Sequence, residues 1–173
     1  MRKKAEFFFF FSILNPPNFK KALKQISKNI TSASQIINNT PSVMVNIAFS
    51  RAGLANLGVE DTLGDPSFSA GQFADAENLG DPGTDNWVEA FKGTNVHGAF
   101  LLVSATNGTI FDTLATITSL FGSSINELYR LQSQLRPGTE AGHERKCCSS
   151  DIRAITDSCF RLWLHGWHQP ARN

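Results

Sequence analysis

Cys148, Cys159, His165 and His168 form, by residue type, a zinc-binding set. Their spacing argues against it. Ten residues separate the two cysteines and two separate the histidines, whereas zinc sites of this composition usually place paired ligands about two to five residues apart. No metal site is therefore assigned. Cys147 adjoins Cys148, and all three cysteines of the chain lie in this terminal stretch. An odd count packed into one tail is not a disulfide framework.

The other candidate chemistry is sparse. His97 opens an apolar run and His143 lies in a Gly-rich turn. Neither has a Cys or Ser nucleophile at a recognisable spacing, so both read as structural. There is no phosphate-binding Gly loop and no nucleophile elbow. Asp61, Asp65, Asp75, Glu77, Asp81 and Asp85 crowd one segment. A calcium loop wants acidic side chains at alternating positions closed by a Glu. These spacings instead suit a solvated loop with turn-forming Asp-Pro pairs. No catalytic residue is assigned from the residues alone.

Composition bounds what these residues can serve. The chain has 173 residues, 41% of them apolar, and a net charge of +1. That is enough for one domain with a core, and it points to no nucleic-acid partner. The start, MRKKAEFFFFFSILNPP, has a basic end before an apolar run. Glu6 precedes the run and no small-residue cleavage site follows it, so it is not a convincing signal peptide. The run is far too short to span a membrane, and localisation stays open. Asn29, Asn38 and Asn107 begin glycosylation sequons that matter only on a secretory route.

The elements follow from periodicity. AEFFFFFSI (5–13) is short, aromatic and continuous, the pattern of a central strand. Phe19, Ala22, Leu23, Ile26, Ile30 and Ala33 share one helical face, with the lysines elsewhere. SVMVNIAFS (42–50) is a second strand, and Ser50 caps a short helix stopped by Gly58. A long Gly/Asp/Pro-rich excursion follows over 59–95, with one helical turn near FSAGQFADA. HGAFLLVSA (97–105) is a third strand. Ile110, Phe111, Leu114, Ile117, Leu120 and Phe121 make the face of a second helix ended by Gly122. INELYRLQSQL (125–135) is placed as a fourth strand. The doubled strand-helix-strand order predicts an α+β fold: a ferredoxin-like antiparallel sheet with its helices on one face.

NIAFSRAGLANLGV (46–59), DPSFSAGQFADAENLGDPG (65–83) and LRPGTEAGHER (135–145) together resemble fungal dye-decolorising peroxidases. The resemblance runs over about residues 4 to 145. It implies one half of a fold built from two ferredoxin-like halves, a dimeric α+β barrel, with haem b held mainly in the second half. It also implies hydrogen peroxide and aromatic reductants as partners. Such proteins carry residues before the first strand, so the natural start is expected upstream of Met1. In this family the phrase matching Gly142, His143 and Glu144 leads straight into a Gly-x-x-Asp-Gly turn. Its Asp lies over the distal haem face, and an axial His and a distal Arg come later. The chemistry suits those roles, since haem iron needs an imidazole on one side and peroxide needs an acid–base group on the other.

This chain departs from that pattern at Lys146, where KCCSS replaces the turn. Arg145-Lys146-Cys147 can be encoded CGT AAG TGC, which contains an intron start, GTAAGT. Ile155-Thr156-Asp157 can hold a branch point, and Phe160-Arg161 can supply the terminal CAG. The excised piece would be roughly 49 nucleotides, a translated processing segment that shifts the frame. Read in the shifted frame, RLWLHGWHQPAR permits Arg-Phe-Gly-Phe-Met-Asp-Gly-Ile-Ser-Gln-Pro-Ala, with both Gly codons forced. That is the family continuation. The sequence thus predicts an N-terminal ferredoxin-like domain over 1–145 and a disordered or non-native tail over 146–173. No cofactor-binding residue lies in frame, and the chain as written is expected to be inactive and to hold no haem. Its exposed inter-domain surface favours self-association. Two other readings stand beside this one: a stand-alone ferredoxin-like binding domain that dimerises, and a haem or metal protein using His143, His165 or His168 in a new way.

Overall fold

The computed structural model describes residues 5–134. Four strands form one antiparallel sheet in the order β2-β3-β1-β4: β1 Ala5–Ile13, β2 Val43–Phe49, β3 Gly98–Ser104 and β4 Ile125–Gln134. The strand with five consecutive phenylalanines takes a central place, as a continuous apolar run requires. Its pairing with β4 slips between Phe10 and Phe11, which leaves Leu128 without an opposite residue.

Two helices cover one face. α1 spans Pro16–Ile26; Asn15 caps it by accepting from Asn18 N at 3.1 Å, and Pro16 and Pro17 fill its first turn. The helix stops at Ile26, earlier than its apolar period suggests, and a 3-10 turn takes over at Ser27–Asn29. The reason is tertiary. Thr31 joins the edge of β2, donating its N–H to Val45 O at 2.9 Å and accepting from Val45 N through Oγ1 at 2.9 Å. Ser32 then starts a separate helix, α2 Ala33–Asn38, with a capping box to Gln35. α3 Arg51–Asn56 follows its Ser50 cap, α4 Pro66–Ala70 follows its Asp65 cap, and α5 spans Asn107–Phe121.

The main core lies between the sheet and α1 and α5. Phe7, Phe9, Phe11 and Ile13 of β1 meet Phe19, Ala22 and Ile26 of α1 and Ile110, Leu114, Ile117 and Phe121 of α5. Phe11 is fully buried, its ring centroid 5.6 Å from Phe19 and 5.3 Å from Phe100. Each such Phe contributes about 2–3 kcal/mol by leaving water. Phe111 departs from the expected face. It is half-exposed and meets only the edge of the core, T-shaped against Phe7 at 6.0 Å. Among the described residues no helix is long and apolar enough to cross a membrane.

Candidate functional site

Side chains alternate along a strand, so the even residues of β1 point away from the helices. The register puts Phe8 between Leu101 and Leu131, and Phe10 between Ala99 and Tyr129. A five-Phe run makes both faces apolar, and the second face also needs cover. The excursion between β2 and β3 supplies it. Phe91 sets its ring edge-on against Phe10 at 4.9 Å and against Tyr129 at 5.3 Å. Trp87 and Ala76 are buried beside it, with Phe73 T-shaped to Trp87 at 5.9 Å.

This cover is less complete than the helical one. Phe8, Phe10, Leu101, Tyr129 and Leu131 stay only partly buried. Among the described residues Trp87 Nε1 is buried with no hydrogen-bond partner, and such an unpaired donor costs about 1–3 kcal/mol. The acidic segment behaves as turn chemistry. Asp61 accepts from Leu63 N, Asp65 caps α4, Asp81 accepts from Gly83 N, and buried Asp75 accepts from Asn78 Nδ2 at 2.8 Å.

His97 sits where the excursion rejoins the sheet. Its Nδ1 accepts from Ile13 N at 2.8 Å, and burial lowers its pKa from the ordinary histidine value. It is the one histidine among the described residues. Gly142, His143 and Glu144, like Cys147, Cys148, Cys159, His165 and His168, lie outside them. Among the described residues no group of three or more His, Cys, Asp or Glu is gathered for a metal. An imidazole is one of the side chains that can hold haem iron, and the imidazole of His97 is engaged at Nδ1 by Ile13 N. The described residues of the second face form an aromatic wall. The sequence signal for that wall was the unbroken Phe run; Trp87, Phe91 and Tyr129 reach it from distant segments and were not foreseen.

The fold is a single antiparallel sheet with helices on one face and aromatic side chains on the other. Residues 1–137 match the family described as the DyP dimeric alpha+beta barrel domain, and the chain belongs to that family. It is 49% identical over 148 residues to Peroxidase 2 of Mycetinis scorodonius, covering 83% of this chain and 29% of that protein. It is 45% identical over 147 residues to the dye-decolorizing peroxidase AauDyP1 of Auricularia auricula-judae, again covering 83% of this chain and 29% of the relative. A crystal structure of DyP superposes with a TM-score of 0.78 at 44% identity, covering 83% of this chain and 32% of that one. A structure of the Auricularia auricula-judae enzyme gives 0.77 at 44% identity, covering 83% and 33%. The chain thus spans under a third of the curated relatives it matches.

Proposed function

We propose that residues 1–145 are the first ferredoxin-like half of a haem-dependent dye-decolorising peroxidase, which uses hydrogen peroxide to oxidise dyes and phenolic compounds. The observation that carries this reading is the 45–49% identity to named peroxidases across 83% of the chain. The partly covered aromatic face supports it, because a second half would finish burying Phe8, Leu101 and Leu131.

In this reading residues 146–160 are translated intron and 162–173 are exon out of frame. The turn expected after Gly142, His143 and Glu144, the axial His and the distal Arg would all lie in the correct frame beyond Arg145. The 173-residue polypeptide then does not hold haem productively and lacks peroxidase activity. Titrating it with haem tests this. The expected result is a broad, non-stoichiometric spectrum and no peroxide turnover. A stoichiometric, histidine-ligated Soret band would overturn the proposal.

A further inference from the structure

The excursion leaves and rejoins the sheet at one place. Ser50 N donates to His97 O at 3.1 Å, and Ser50 Oγ donates to Val96 O at 2.6 Å. Gly53 N donates to Ser50 Oγ at 3.0 Å, and Gly53 packs so tightly that a Cβ there would stand 1.9 Å from His97 O. On the other side His97 N donates to Phe11 O at 2.9 Å. The regular pairing of β1 with β3 ends at Phe11 and Gly98. One more rung follows, and its acceptor is a ring nitrogen: Ile13 N donates to His97 Nδ1 at 2.8 Å. An accepting Nδ1 must be unprotonated, so the ring is neutral with its proton on Nε2.

We propose that His97 is an acid-released clasp at the base of the 50–97 excursion. Protonating Nδ1 sets two donors face to face, breaks the Ile13 rung and loosens the cover over Phe10 and Tyr129. Burial disfavours the imidazolium and lowers the folded pKa. The sign follows from that. The clasp is fully closed above the unfolded histidine pKa, about 6.5, and its contribution is lost as pH falls through the lowered folded value.

The surrounding charges offer the protonated ring no rescue. Arg51 on α3 donates to Val59 O at 3.2 Å and pairs with Glu60. Lys92 pairs with Glu89 at 3.3 Å on the excursion. Glu6 lies at the far end of β1, and β2 and β3 carry no charged residue. Burial alone lowers the ring's pKa, with no neighbouring charge among the causes.

The test is hydrogen exchange of the 173-residue chain from pH 8 to pH 5, corrected for intrinsic exchange rates. Protection at Ile13 and over 87–97 should fall by up to about tenfold per pH unit as pH drops from about 6.5 toward the lowered His97 pKa, and level off below it. His97→Asn places an amide oxygen near the Nδ1 position and accepts at every pH. It should keep the neutral-pH protection and abolish the pH dependence. Equal pH profiles for the two proteins, or protection in the wild type that ignores pH, would overturn the proposal. Nitrogen-15 NMR of the wild-type ring decides independently of any variant. A bare Nδ1 at neutral pH is expected, and a proton on Nδ1 would refute the clasp.

Discussion

The two faces of β1 are built from the same residue type and differ in every other respect. Phe7, Phe9 and Phe11 face two capped helices and are almost wholly buried. Phe8 and Phe10 face an irregular excursion and stay partly open. The helical side uses regular periodicity and leaves none of its described side-chain polar atoms buried without a partner, whereas the excursion side strands Trp87 Nε1. A face sealed by helices completes itself within the domain. A face closed by a loop stays partly open: Phe8, Phe10, Leu101, Tyr129 and Leu131 remain only partly buried.

Substitutions can break this comparison. Phe11→Ala empties a site enclosed by Phe19, Phe49 and Phe100; urea unfolding should show a loss of about 3–5 kcal/mol. Phe10→Ala removes the same atoms from a half-covered site, and roughly half that loss is expected. Equal losses would mean the two faces are equally closed. Gly53→Ala forces a methyl against His97 O, so the base of the excursion must shift, at about 1–3 kcal/mol. Ser50→Ala removes the α3 cap and the Val96 bond, about 1 kcal/mol by the same measurement. Trp87→Phe should be nearly silent, within about 1 kcal/mol, because lost apolar volume is offset by removal of an unpaired donor.

Most of the sheet could be read from the chain. The Phe run, the β-branched residues of Val43–Phe49 and the turn residues around each helix fix four strands locally. The break after Ile26 could not be read, because Ile30 and Ala33 continue the helical period. What ends the helix is the bond between Thr31 and Val45, a contact across the fold. The aromatic wall was hidden for a related reason. Trp87 and Phe91 stand among Gly, Asp and Pro residues with no period, and only the folded excursion brings them to Phe10 and Tyr129. His97 offered no pattern at all; its role depends on the distant amide of Ile13. The family phrases survived where periodicity failed, since 65–83 carries a specific order of turn residues.

The proposal rests on residues 1–145 being the first ferredoxin-like half of a peroxidase and on a reading frame broken after Arg145. Sequencing the mature transcript across the codons for Arg145 to Arg161 tests it most directly. The account predicts a spliced message that continues into Asp-Gly-Ile-Ser and a full-length haem protein. A mature message that keeps Lys146 to Phe160 would contradict it and make the truncated protein the real product.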